Sequence, residues 1–269
     1  MSQTNLLRLA CETSFGYLVP GNERFEAYGA TFIRNRQTPH RHDANLVGLV
    51  RTRTSADSEA LLQRADEEYA GFGHRAWSVD ALTPPEFVAR LVLEDGYKHR
   101  EYLVHVLEGE LNAAPRPVEI REVLTDADWL AYQDLDALWW QQSASSDDIF
   151  GVYNAELHTE FTLNRRLKAP GVRGWLACVE GVPRAFFSSW PGENGVGMVE
   201  DLFCHPEYRH RGLATALIAH CVADARARGA GPVIISADPA DTPKHIYAAM
   251  GFRPLYVTRS YTKLIKNEP

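Results

Sequence analysis

The residues of this chain best placed to do chemistry form the run Arg209-His210-Arg211-Gly212-Leu213-Ala214. It falls between an extended stretch, Met198 to Cys204, and a segment in which Ala214, Leu217, Ile218, Cys221, Val222 and Ala225 recur at helical spacing. A strand, a tight turn and a helix start make an anion site. First-turn backbone N–H groups lack partners, the helix dipole adds positive potential, and a glycine lets a phosphate approach the main chain. The loop is expected to hold a pyrophosphate. No Gly-x-x-x-x-Gly-Lys-Ser/Thr run is present, which disfavours a nucleoside triphosphate.

Other reactive residue types carry less. Cys204 beside His205 suggests a thiol nucleophile, but neighbours on a strand point to opposite faces, so a buried strand thiol is the better reading. His40-Arg41-His42 has two histidines at i, i+2 and no third ligand nearby. Solvated or phosphate-facing histidines are expected there, and no metal site. Trp139 and Trp140, with Asp147 and Asp148 after them, either wall a pocket for a cationic amine or pack a helix face before an acidic loop; the second is preferred.

The elements that must position these residues follow from local signals. Thr125-Asp126-Ala127-Asp128 has the capping-box pattern and opens a helix to about Gln142, and Asn154 to Leu167 reads as a second helix. Gly174 to Val179, Val182 to Trp190 and Met198 to Cys204 read as three strands, the first two joined by the turn Glu180-Gly181. Gly192 to Gly197 leads from strand to strand, so it is a hairpin turn and not a dinucleotide loop. A helix from about Leu213 to Arg228 stops at Gly229. A short buried strand (Pro232 to Asp238), a short helix (Pro243 to Met250) and a closing strand or hairpin (Leu255 to Leu264) complete the chain.

Sliding the chain on itself by 158 residues pairs 51–80 with 209–238 without gaps, with nine identities in thirty positions. Among them are Arg51/Arg209, Arg53/Arg211, Gly71/Gly229, Gly73/Gly231 and Asp80/Asp238. A small gap then brings Gly96-Tyr97 opposite Gly251-Phe252. Both halves share one loop, helix, strand, helix, strand plan, which favours two related α/β domains. Leu111 to Pro117 reads as the connection, giving a first domain over 1–112, a linker over 113–117 and a second domain over 118–269.

Val199-Glu200-Asp201-Leu202-Phe203-Cys204-His205-Pro206, followed by Arg209-x-x-Gly212-x-Ala214, resembles motif A of the GCN5-related N-acetyltransferase (GNAT) family. Tyr247-Ala248-Ala249-Met250-Gly251-Phe252 is similar to that family's later Tyr-x-x-x-Gly-Phe element. The resemblance implies an α/β fold of two GNAT-like domains, each a mixed, mostly antiparallel twisted sheet flanked by helices. It implies acetyl-CoA as cosubstrate, with the pyrophosphate on Arg209, His210, Arg211, Gly212, Leu213, Ala214 and Thr215. The pantetheine would lie between splayed strands, against backbone groups of Phe203 and Cys204. The family often carries an Asn before the Tyr element; here Asp238-Pro239-Ala240-Asp241-Thr242-Pro243 stands in its place.

Acyl transfer to an amine needs a base, a donor for the developing oxyanion and an acid for the leaving thiolate. Glu200 lies in the strand before the loop, where partial desolvation would raise its pKa and suit it as the base; the alternatives are that it pairs with a surface cation, or that Asp201 is the base. The resemblance gives Tyr247 the acid's role, against the alternative of a core tyrosine. The first half lacks this set: Thr54 replaces the loop glycine, the 158 shift puts His42 opposite Glu200, and the gapped pairing puts Val92 opposite Tyr247. It is expected to be a degenerate copy.

With 28 Lys and Arg against 35 Asp and Glu, the net charge is −7, so the chain lacks the basic field that nucleic-acid binding uses. No segment resembles a membrane span or an apolar leader, and four cysteines without CxxC spacing suggest reduced thiols, so a cytoplasmic location is expected. The leading function is an acyl-CoA-dependent N-acetyltransferase working by direct attack, with no metal and a small-molecule amine favoured over a protein as acceptor. A non-catalytic acyl-CoA-binding or regulatory module and a Cys204 ping-pong enzyme are the alternatives. Oligomeric state is left open.

Overall fold

Short-range chemistry sets the element boundaries of the computed structural model, which describes residues 1–114, 116–143, 154–240 and 242–265. Asp147 and Asp148, and Pro115 of the linker, lie outside them. The first half runs α1 (Gln3–Gly16), β1 (Glu23–Ala27), β2 (Ala30–Arg34), β3 (Leu46–Gly48), α2 (Ser55–Glu68), β4 (His74–Val79), α3 (Pro85–Leu93) and β5 (Lys98–Leu107). The second runs β6 (Glu119–Glu122), α4 (Asp126–Ser143), α5 (Ala155–Leu167), β7 (Arg173–Val179), β8 (Val182–Trp190), β9 (Gly197–Cys204), α6 (Leu213–Ala227), β10 (Val233–Ala237), α7 (Pro243–Ala249) and β11 (Arg253–Leu264). At the head of α4 the Asp128 N–H donates to Thr125 Oγ1 at 3.2 Å and the Thr125 N–H to Asp128 Oδ2 at 3.0 Å, the reciprocal box that the spacing suggested. Glu180 and Gly181 both take positive φ (53° and 75°), the twist that a two-residue hairpin requires.

All eleven strands join one mixed sheet in the order β1-β2-β3-β4-β11-β5-β10-β9-β8-β7-β6. The two halves are therefore interleaved. β5, from the first half, pairs with β10 and β11, while β11, from the second, pairs with β4 and β5 and, among the described residues, with no strand of its own half. Across β5 and β11, Tyr102 pairs with Thr258 and Leu103 with Val257. The shift that carries Gly96 to Gly251 carries Tyr102 to Val257 and Leu103 to Thr258, so an approximate two-fold axis passes among these four residues.

The helices cover both faces. Tyr261 joins the α2/α3 core, its cross-strand partner is His99, and six residues further along β5 His105 meets the Tyr247 ring edge-on at 5.9 Å. Period-2 alternation thus puts α2, α3, α6 and α7 on one face. Val104, Val106 and Tyr256 turn the other way and pack against Leu6, Ala10 and Cys11 of α1, while α4 covers Leu176, Phe186 and Phe203. The linker is held against the second half: the Asn112 N–H donates to Met250 O at 2.9 Å, and Leu111 and Ala113 pack on the α6 core.

Candidate active site

β9 and β10 are parallel neighbours for only two residue pairs, Gly197 with Val233 and Met198 with Ile234, and then part. The parting has a local cause. Asp201 takes φ +69°, and the β8 register jumps from Ser188/Glu200 to Phe186/Phe203, so a bulge bends β9 away. A cavity of about 620 Å³ opens there, lined by Glu200, Asp201, Phe203, Ser236 and Tyr247 of the second half and by Arg41, Ser78 and Tyr102 of the first.

Glu200 sits at the parting. Ser236 Oγ donates to its Oε1 at 2.7 Å and the Ser236 N–H to its Oε2 at 3.2 Å, so no surface cation holds it. Burial, aided by the neighbouring Asp201 charge, raises its pKa to about 8 against the opposing Ser236 hydrogen bonds. For Asp201, burial pushes up, but Arg165, Lys168 and the Tyr17 hydroxyl outweigh it, and the carboxyl stays below the usual range. Arg165 Nη1 lies 2.7 Å and Tyr17 Oη 2.8 Å from Asp201 Oδ2. Adjacent carboxyls with pKa values driven apart mark Glu200 as the group able to exchange a proton near neutral pH, and Asp201 as a fixed anion. Tyr247, in the C-terminal half of α7, is buried beside His105 and Phe252 and is among the residues lining the same cavity.

The loop residues divide by role. Gly212 takes φ +88° and is the N-cap of α6, with no side chain capping the first turn. His210 also takes positive φ, 60°. Leu213 is buried in the α6 core, so it offers a ligand only its backbone, while the half-buried Ala214 and Thr215 follow it in the first turn. Arg211 stacks over Tyr208 at 4.8 Å, and Arg209 Nε donates to Cys204 O at 3.2 Å. Arg116 of the linker, which no motif marked, lies over the loop with its Cδ 3.6 Å from where a Cβ on Gly212 would stand. Phe203 is buried against Phe186 and α4. Cys204 is absent from the cavity lining, its Sγ lies 3.7 Å from His205 O, and burial raises its pKa, which leaves it poorly placed as a nucleophile.

The first half differs at every matching point. Thr54 at the head of α2 is extended (φ −133°), and the Asp57 carboxylate accepts from the Thr54 N–H at 3.0 Å, filling the place an anion would take. Val47 pairs with Trp77, the repeat partner of Ile235, while the β9 register continued by one residue brings Val199 opposite Ile235. Val47 thus matches Val199, Gly48 matches Glu200, and Leu49 (φ +48°) matches the bulged Asp201. His42 is therefore not the counterpart of Glu200. The strand-to-loop connection is four residues in the first half (47 to 51) and ten in the second (199 to 209), which an ungapped shift cannot see. A Cβ on Gly48 would fall 2.3 Å from Phe15, so aromatic carbon plugs the place that Glu200 holds open. Counted from Pro85 and Pro243, which open both helices, Ala89 matches Tyr247; counted back from Gly96 and Gly251, Val92 does. Neither has a hydroxyl.

Two expectations need revising. His42 is half-buried and not solvated, its pKa lowered by burial to about 3, and it lines the cavity together with the buried Arg41. Trp139 and Trp140 line it too, Trp140 while packing on Phe161 at 4.7 Å, so wall and packing roles coincide. His40 is exposed and its Nδ1 contacts Glu160 at 2.7 Å. Among the described residues no group of three His, Cys, Asp or Glu could hold a metal, and no helix is long and apolar enough to cross a membrane.

Residues 132–252, which carry Glu200, the glycine loop and Tyr247, match the family model described as Acetyltransferase (GNAT) family, and this segment of the chain belongs to that acetyltransferase family. The solved GCN5-related N-acetyltransferase from Kribbella flavida is similar over 96% of this chain and 95% of its own, with TM-score 0.69 and 16% identity. A functionally unknown conserved protein from Staphylococcus epidermidis ATCC 12228 covers 94% and 98% with TM-score 0.68 and 14% identity. A tandem GNAT protein from the clavulanic acid biosynthesis pathway covers 98% and 94% with TM-score 0.58 and 14% identity. At such identities the likeness establishes the fold: α/β, with two GNAT-like units in tandem. No curated protein matches the sequence.

Proposed function

We propose that the protein is an acyl-CoA-dependent N-acyltransferase that passes acetyl from acetyl-CoA to an amine by direct attack, at one site in the second half. The observation that carries this reading is the pairing of Glu200, its pKa raised to about 8, with Tyr247 on one cavity beside an uncapped, glycine-led helix start. Acetyl-CoA supplies an activated thioester. The α6 first turn and Gly212 receive its pyrophosphate, assisted by Arg209, Arg211 and Arg116, and the parted edges of β9 and β10 admit the pantetheine alongside Phe203 and Cys204. Ionised Glu200 takes the amine proton on a carboxylate oxygen, and the Tyr247 hydroxyl gives a proton to the departing sulfur. A backbone N–H near Cys204 faces the developing oxyanion. The first half acts as scaffold and cavity wall. The test is a thiol-release screen of acetyl-CoA against pooled amines, with intact-mass analysis of the protein. Amine-dependent release without acylated protein is expected; a stable acyl adduct on Cys204 would make the enzyme ping-pong, and CoA binding without release would make it a binding module.

A further inference from the structure

Two buried cations on the cavity stand outside the chemistry described above. Arg41, on the connection between β2 and β3, is 4% exposed, and its guanidinium lies 3.2 Å from the centroid of Phe161. Its Nη2 pairs with Asp43, but Nε and Nη1, which carry most of the guanidinium's donors, have no hydrogen-bond partner among the described residues. Lys168, at the end of α5, is 7% exposed, lies 4.5 Å over the Tyr17 ring and makes no ion pair among the described residues. Burial brings its pKa down to about 8. Arg165 beside them has more partners, with Asp201 at 2.7 Å, Asp136 at 3.3 Å and the Tyr132 hydroxyl at 2.8 Å, and only its Nε lacks a hydrogen-bond partner among the described residues.

The charges can be assigned in pairs. Arg41, Arg165 and Lys168 face Asp43, Asp136 and Asp201, three charges against three, but Arg165 engages Asp201 and Asp136 while Asp43 reaches only Nη2 of Arg41, so Nε and Nη1 of Arg41 are left without an acceptor among the described residues. Buried donors without acceptors are costly, and a ligand that brings acceptor oxygens into the cavity would satisfy them. Because the fixed charges already balance, the ligand group must bring acceptor oxygens with little added charge, which suits a carboxylate better than a phosphate dianion. We propose that the acceptor is an amine bearing a carboxylate, of the amino-acid class, whose carboxylate is held by Arg41 and Lys168 while its amine faces Glu200. This rests on the acyl-transfer reading and gives the first half a part in catalysis, since through Arg41 it selects the substrate.

The experiment uses the full chain with acetyl-CoA and compares the common L-α-amino acids, β-alanine and 4-aminobutyrate, each with its carboxamide. The acid is expected to exceed its amide at least about tenfold in kcat/KM, and Arg41→Met to remove that preference mainly by raising KM about tenfold or more, with kcat little changed. Lys168→Met is expected to act the same way and serves if Arg41→Met does not fold; the acid-to-amide comparison on the unaltered protein needs no variant. Acids and amides accepted alike would overturn this inference and leave acyl transfer standing. If no amine is acetylated, the acyl-transfer reading fails instead, and calorimetric titration of the same acids and amides into the CoA-saturated protein decides: acids bound in preference, and lost in Arg41→Met, sustain the carboxylate site, while acids not bound overturn it.

Discussion

Glu200 shows what a single residue's setting decides. Its carboxyl must be ionised to accept a proton, and burial holds its pKa near 8, so activity is expected to rise with pH through that region and to fall about tenfold per unit below it. Glu200→Gln fills the same space without a proton-accepting oxygen; it is expected to cost about 10² to 10⁴ in kcat and to abolish the acidic limb while CoA affinity holds. Rates of thiol release between neutral and alkaline pH check this, and an unchanged profile would return the base's role to Asp201 or to an amine already neutral. Glu200 and Tyr247 can be singled out as candidates from sequence because each sits in a short motif. Arg41 and Lys168 cannot: one stands in a histidine-flanked loop that reads as solvated, the other at a helix end, and only long-range packing buries them on one cavity.

At the scale of elements, the loop before α6 is the clearest case of local sequence dictating geometry. Gly212 at φ +88° opens the helix where a β-branched residue would be strained, and a side chain there would crowd the proposed phosphate site. Gly212→Val is expected to weaken CoA binding at least about tenfold in titration calorimetry and to cost roughly 1–2 kcal/mol of stability in urea melts. Unaltered affinity in the folded variant would put the phosphates elsewhere. Helix caps, hairpin turns and the α6 stripe could all be read directly, since each depends on a handful of neighbouring residues. The Asp201 bulge could not, because no residue type announces it, and the six-residue difference between the two strand-to-loop connections misled the ungapped repeat into matching His42 with Glu200.

For the whole molecule, the repeat was visible but its consequence was not: strand exchange is set by pairing between distant segments, on which periodicity is silent. Because, among the described residues, β11 pairs only with β4 and β5, and β10 takes β5 as its outer neighbour, residues 118–269 expressed alone would leave both strands without those partners. That fragment is expected to be unfolded or aggregated by circular dichroism and gel filtration; a soluble fragment that binds CoA would show that the exchange is dispensable. The interleaved sheet places two similar loops on one molecule, yet Asp57 caps the first and Phe15 fills the space beside Gly48, while the second keeps an open helix start and a carboxylate. One acyl-CoA site per chain is the central claim, and calorimetric titration of acetyl-CoA into the full-length protein tests it most directly. A stoichiometry of one, abolished or weakened by Gly212→Val, is the result expected; two sites, or none, would contradict it.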